Sequence, residues 1–424
     1  MELVKGHGPW QWRMLTVVII GFMFEGLNNM AIVFFAPNLD HWCARPPDAN
    51  ISVQEWKKIA MPPSDQHCSM YKSFNVSDIF EENLQNSSTK RETVTCSSWE
   101  YDDSTYQSTV LSEWDLVCHR EWLVSLSKSV YIAGFFCSAV TFTYLADKYG
   151  RKPALIVCNI LAVISSILCA YSTSFTMFAV ARFCLATGAS GIEKIGFVLL
   201  MEIISPEFRA TYALATDLAW ITGALCLPAI AWFLRNWFWM QIVITLPSII
   251  LLACFWLIPE SPRWLLAHEK ADEAMKILTE AANKNGLDPV ITNFELKEAI
   301  SKSIKANENE DKSVNILQLF KPELRKRTCV IWFVWCVTTF MYYGISYNTN
   351  EFVGNPFINF TLYILVEFPA SLIAVAVMKF KGRRIPEASY LIVGAAACLV
   401  INIIPDGKII IFQQLQFYFL LLKG

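Results

Sequence analysis

The apolar residues of this chain come in blocks. Uninterrupted, mostly apolar stretches of roughly 20 residues begin near Met14, Lys128, Ala154, Phe175, Ala210, Trp237, Thr328, Phe357 and Glu387. Each is long enough to cross a hydrocarbon layer as a helix, the only form besides a closed barrel that satisfies its own backbone there. The pattern therefore predicts nine spans. A further apolar stretch at 409–422 carries Gln413, Gln414 and Gln416 and is too short for a full span. The first stretch is interrupted by Glu25, Asn28 and Asn29 and lacks a small-residue cleavage site, which excludes an ordinary signal peptide.

Polar segments punctuate the blocks unevenly. The long one, 40–121, holds Cys43, Cys68, Cys96 and Cys118 and three Asn-x-Ser sequons, at Asn50, Asn75 and Asn86. Four cysteines in one loop predict two disulfides, with three pairings open, and the sequons place the loop outside. The remaining cysteines lie in or beside apolar spans and read as small packing residues. With that loop outside, the N-terminus and the basic turns at 148–152 and 379–384 fall inside, in keeping with the positive-inside tendency. After the sixth span, Ser261-Pro262 is a helix start, the apolar positions from Trp264 to Leu278 recur at helical spacing, and Gly286 is a stop. A second charged helix over 288–306 completes a hinge between two halves, and the run 307–312 fits a disordered linker.

Composition sharpens this. The chain is 54% hydrophobic and only 17% charged, with a net charge of −2. It shows no basic patch with interleaved aromatics, so nucleic acid is not an expected partner. Its five histidines are scattered at the termini and in loops, and no phosphate-cradling glycine loop is present. Neither an enzyme, a metal centre nor a bound cofactor is expected.

The basic turns form a repeat. Asp147-Lys-Tyr-Gly150-Arg151-Lys152-Pro153 returns in weaker form as Lys381-Gly382-Arg383-Arg384, without the leading acid. A duplicated turn, once per bundle of spans, marks a two-fold-repeated membrane transporter. Within the spans, Glu25, Arg182, Glu193, Lys194, Asp217 and Glu367 are costly in lipid and are expected to face a cavity or a partner. Glu193 and Lys194 are adjacent on a helix and read as poor partners for each other. An ion pair with Arg182 is the structural alternative to a substrate role for the acids. Trp335 and Tyr342 are seven apart and share a helix face, and Phe197 and Trp220 are further aromatic candidates for a cavity wall. Aromatic faces attract organic cations by about 0.5–2 kcal/mol each.

The chain resembles the major facilitator superfamily, and within it the organic cation, carnitine and anion transporters of solute carrier family 22. The resemblance rests on 108–118 (STVLSEWDLVC), on 259–265 (PESPRWL), on Glu202, Phe208 and Arg209, and on Glu367-Phe-Pro-Ala370. It implies an all-α membrane fold with a six-helix N-terminal half at 1–258, a cytosolic helical loop at 259–327 and a C-terminal half at 328–424. It implies plasma-membrane transport of a small organic ion, with Trp335, Tyr342 and Glu367 near the substrate. It also assigns a conformational switch to Asp147, Gly150, Arg151, Lys152, Glu202, Arg209, Glu260, Arg263, Gly382, Arg383 and Arg384. Family members have twelve spans, so the C-terminal half is expected to be incomplete, which raises a non-transporting, regulatory form as the alternative of another class. Pairing of two copies through the outer loop is a further expectation.

Overall fold

The computed structural model describes residues 6–46, 51–63, 65–72, 92–288, 294–298, 300–301, 320–347, 349, 354–382 and 384–401. Asn50, Asn75, Asn86, Arg383, the run 307–312 and the stretch 409–422 lie outside them.

Eight helical segments among the described residues are long and apolar enough to cross a membrane. They are built on α1 (Pro9–Met30), α5 (Trp122–Tyr149), α6 (Arg151–Ala170), α7 (Phe175–Ile203), α8 (Arg209–Leu234), α9 (Trp237–Cys254), α12 (Pro322–Ser346) and α13 (Pro356–Lys381). The ninth expected span is the shorter helix α14 (Arg384–Ile401). Local chemistry sets the ends. Ser174 caps α7 through Met177 N, Asn236 caps α9 through Phe238 N, and Asn355 caps α13 with Pro356 at its first position. Gly150, at φ +111°, ends α5, and Gly382, at φ +74°, ends α13; each N–H returns to the carbonyl four residues back. The repeated turn thus has one structural function in both copies, a left-handed stop that glycine adopts without strain.

The first six spans form one bundle, with α7 packed between α5, α6 and α1, and α8 against α1. Spans α1 and α8 cross at two glycines. A Cβ on Gly26 would meet the Trp220 carbonyl at 2.5 Å, and one on Gly223 would meet Met23 Cα at 2.8 Å. Small residues at the crossing let the backbones touch, and this sets Glu25 beside Trp220. The C-terminal spans join the bundle chiefly through α13 against α8.

Between α1 and α5 a polar cap covers one end, here the loop side. The short apolar helix α2 (Ile32–Phe35) extends the first span, and in the cap the short helices α3 (Val53–Ala60) and α4 (Val110–Glu113) alternate with two antiparallel pairs, β1 (His41–Cys43) with β4 (Trp99–Tyr101) and β2 (Ser69–Tyr71) with β3 (Thr93–Thr95). Disulfides Cys43–Cys96 and Cys68–Cys118 tie the pairs together, which selects one of the three pairings.

At the opposite, turn side, α10 (Pro262–Ala267) starts on Ser261 and α11 (Ala271–Lys284) follows it, with Gly286 at φ +72° after its end. These helices are no free hinge. Leu278, Ala281, Leu296 and Ile300 are buried in one cluster with Trp10, Ile203 and Tyr212 of the N-terminal half.

Candidate functional site

Five of the residues expected to form a conformational switch, Asp147, Arg151, Lys152, Glu202 and Glu260, meet in one polar hub on the turn side. Glu260 accepts hydrogen bonds from the backbone N–H of Arg151 (2.9 Å) and Lys152 (3.1 Å), so its carboxylate caps the positive end of α6. The buried Arg151 guanidinium reaches Glu202 at 2.9 Å and Asp147 at 3.1 Å. Trp264 donates its indole N–H to the Asp147 carbonyl at 2.7 Å. Gly150 is required twice, for its φ and because a Cβ would stand 3.1 Å from the Glu260 carboxyl carbon. Spans α5, α6 and α7 and the segment that leads from α9 to α10 are thereby pinned by one acid-and-base cluster. Arg209 opens α8, and Arg263 stands exposed.

On the loop side the stretch 108–118 is an anchor. Gln107 and Ser108 exchange backbone hydrogen bonds with Arg235 and Trp237. Thr109 forms a capping box with Ser112 on α4. Glu113 accepts from the Trp237 indole at 2.6 Å, and Trp114 packs on Phe178 and Trp237. Asp115 accepts from Tyr101 at 2.9 Å, and burial followed by that bond pushes the Tyr101 phenol upward. His41 approaches Cys68 and Cys118, whose sulfurs are joined to each other and so are not metal ligands.

Between the halves lies a cavity of about 620 Å³, lined by residues of α1, α5, α7, α8, α12 and α13. Its size suits a small organic molecule. Four carboxylates line it, Glu25, Glu193, Asp217 and Glu367, against one ammonium, Lys194. Glu25, fully buried, accepts from the indole of Trp220 and from Asn29 Nδ2 at 3.1 Å. Asn29 also donates to the Tyr343 hydroxyl at 3.0 Å and accepts from Tyr347 at 2.9 Å, joining α1 to α12. Across the cavity Tyr342 donates to Glu367 at 3.1 Å, and Ser371 donates to Asp217 at 2.5 Å. The rings of Trp220 and Tyr342 stand 6.4 Å apart between these acids. Trp335, 65% exposed, lines the same space two turns nearer the turn side.

Comparison with known proteins agrees with this architecture. Residues 72–416 match the family "Sugar (and other) transporter". The chain belongs to the major facilitator superfamily of transporters. It is 29% identical over 411 residues to the organic cation transporter protein of Drosophila melanogaster, covering 94% of this chain and 74% of that one. The organic cation transporter-like protein of the same fly is 30% identical, with 92% and 70% covered. Mouse solute carrier family 22 member 2 is 35% identical over 311 residues, 73% of this chain and 54% of that one. These relatives place the transporter in the solute carrier family 22 branch that its motifs resemble. Among solved structures, the proton:xylose symporter XylE bound to 6-bromo-6-deoxy-D-glucose superposes with a TM-score of 0.63 at 14% identity, covering 97% of this chain and 79% of that one. The family is one of transporters and not of enzymes, and the comparisons support that reading rather than the non-transporting one.

Seven of the eight pathway candidates line the cavity of this transporter; Phe197 does not. It packs on Phe22, rings 6.5 Å apart, against the turn-side cluster. Glu193 and Lys194 do approach each other, to 3.9 Å, because both long side chains bend into the same space although their helix directions diverge. Lys194 also bonds Ser190 and lies 5.2 Å from the Phe135 ring. No ion pair to Arg182 occurs among the described residues. Its buried guanidinium sits 4.2 Å from the Tyr131 ring and donates to the Asn28 carbonyl. Sequence reasoning missed Asn29, Tyr343 and Ser371 as cavity residues. The available signal was spacing, since Asn29 and Ser371 each lie one turn after an interior acid, Glu25 and Glu367.

Proposed function

We propose that the chain carries small organic cations across the plasma membrane, by facilitated or secondary transport through alternating access. The cavity carries this reading: four acids against one lysine, with Trp220, Tyr342 and Trp335 offering aromatic faces. The names of the fly relatives favour the same substrate class. The halves, 1–258 and 328–424, move about the site, and the loop 259–327 links them on the cytosolic side. The disulfide-tied cap 40–121 is extracellular and carries the glycans at its sequons, and the N-terminus is cytosolic. Two copies associate through that cap.

The contacts favour an inward-facing state. The cluster that mixes both halves contains Phe34, Tyr106, Tyr347, Phe357 and Phe360, all toward the loop side. The turn-side cluster is built from the N-terminal half and its helical loop. The cavity then opens to the cytosol. A zwitterion of the carnitine type, or an organic anion, is the second reading, because Lys194 offers a carboxylate a partner inside the cavity.

Uptake of labelled tetraethylammonium by cells expressing the chain, with surface biotinylation alongside, tests the reading. Saturable uptake that falls in Glu367→Gln and Trp335→Ala is expected. Surface protein with no tetraethylammonium uptake overturns the cation reading.

A further inference from the structure

The acids of the cavity are divided between two poles. The first pole combines Glu25 and Glu193, on α1 and α7, with Lys194 and the indole N–H of Trp220. The second combines Asp217 and Glu367, on α8 and α13, with Ser371 and the hydroxyl of Tyr342. The two aromatic rings lie between the poles, 6.4 Å apart. A substrate with one positive charge satisfies one pole and leaves the other facing an apolar body. Between helices, where charges are screened less than in bulk water, that arrangement costs more than it would in water.

We propose that the cavity selects organic dications, two cationic nitrogen centres joined by an apolar linker. One centre sits at the Glu25–Glu193 pole and the other at the Asp217–Glu367 pole. The linker lies along the Trp220 and Tyr342 rings. Lys194 offsets one charge of the first pole and keeps a third cationic centre from binding there. The arrangement has a mechanical consequence. Glu25, Glu193 and Asp217 belong to the N-terminal half and Glu367 belongs to the C-terminal half, so the second pole itself straddles the interface. A dication therefore spans the interface and is held best when both poles approach it. This inference rests on the cation reading above and narrows it.

The test is equilibrium displacement of labelled tetraethylammonium from the full chain in proteoliposomes, which removes the membrane potential from the comparison. Hexamethonium, with two quaternary nitrogens on a six-carbon linker, is compared with hexyltrimethylammonium, which has one nitrogen and the same linker. The hydrophobic effect alone favours the monocation, whose chain end is apolar. The expected result is displacement by hexamethonium at a concentration at least tenfold lower. Glu25→Gln and Asp217→Asn are each expected to raise the hexamethonium concentration about tenfold. Hexyltrimethylammonium is expected to respond to one of the two substitutions only. Equal or better displacement by the monocation in the unsubstituted chain overturns the inference, and it needs no variant to fold. Absence of any tetraethylammonium binding is a different failure, and it removes the cation reading itself.

Discussion

Glu260 is the residue whose removal tests the turn-side hub most directly. Its carboxylate accepts three backbone N–H groups, from Arg151 at 2.9 Å, Lys152 at 3.1 Å and Ser261 at 2.8 Å. Two of these donors are the first N–H groups of α6, which have no partner inside their own helix. Hydrogen bonds to a charged acceptor contribute about 1.5–3 kcal/mol each when buried, and Glu260 is half-buried, so roughly half of that is appropriate. The charge at the helix N-terminus adds about 0.3–1 kcal/mol. Glu260→Ala should therefore cost about 3 kcal/mol, with water recovering part of the capping. Glu260→Gln keeps an acceptor oxygen but loses the charge and should cost about 1–2 kcal/mol. On a cooperative unit the size of the N-terminal half, about 3 kcal/mol corresponds to a fall of roughly 6–12 °C in the unfolding midpoint. Tryptophan fluorescence of the detergent-solubilised chain during heating measures it, with 15 tryptophans in the chain as reporters. The expected order is wild type, then Gln, then Ala. A Glu260→Ala midpoint within about 1 °C of wild type would refute the reasoning, because the capping would then contribute nothing measurable.

Three further outcomes are expected. Gly223→Val places side-chain atoms where even a Cβ lies 2.8 Å from Met23 Cα, so α1 and α8 must separate; overpacking of this kind costs about 1–3 kcal/mol and should show as reduced surface expression and weaker tetraethylammonium binding. Replacing Cys68 and Cys118 by serine opens a link across 50 residues, worth roughly 4 kcal/mol by chain entropy, and trypsin should cut the cap at least tenfold faster than in the wild type. Asp65 is held below the usual carboxylate range, first by the Ser69 hydroxyl, which outweighs the opposing effect of burial, and then by the backbone N–H of Cys68 and of His67. A lowered folded value means its contribution is complete above the ordinary carboxylate range and is lost as pH falls through the folded value. Digestion by an acid protease should thus accelerate below about pH 4 in the wild type, and Asp65→Asn should remove that acid-dependent increment.

Much of the bundle was legible because its determinants are local. Span length, the cap at Ser261 and the glycine turns at Gly150 and Gly382 each depend on a few neighbouring residues. The hub was legible through its motif residues, although nothing in the spacing says that Glu260 bonds α6, whose start lies 109 residues earlier. The disulfide pairing was not legible, since a polar loop of that length permits every pairing and the two small strand pairs decide it. The cavity was half legible. Interior acids announce themselves by their cost in lipid, which brought out Glu25, Glu193, Asp217 and Glu367. Their partners did not, because Asn29, Ser371 and Tyr343 are unremarkable until the fold brings their three helices together around the cavity. Phe197 failed for the complementary reason: an aromatic residue in an apolar span has no signature that separates cavity wall from packing.

The contacts that hold the halves together differ in kind from those that hold the N-terminal half to itself. Inside that half the hub uses full charges at close range, Arg151 with Glu202 and Asp147, and a carboxylate on a helix end. Between the halves no ion pair occurs among the described residues: Asn29 bonds Tyr343 and Tyr347, Lys128 donates to the Tyr347 carbonyl, Ser371 donates to the Asp217 carboxylate, and Phe34, Tyr106 and Trp232 pack on Phe357. A neutral hydrogen bond contributes about 0.5–1.5 kcal/mol net, so a handful of them can be exchanged for another set within the few kcal/mol that separate two populated states. The same Asn29 that joins α1 to α12 also holds Glu25. On the cation reading proposed above, a substrate that draws Glu25 into its own coordination competes for that amide and loosens the joint on the loop side. Substrate occupancy and the seal between the halves thereby share one side chain, which is what a carrier needs if its cavity is to change sides only in step with its cargo.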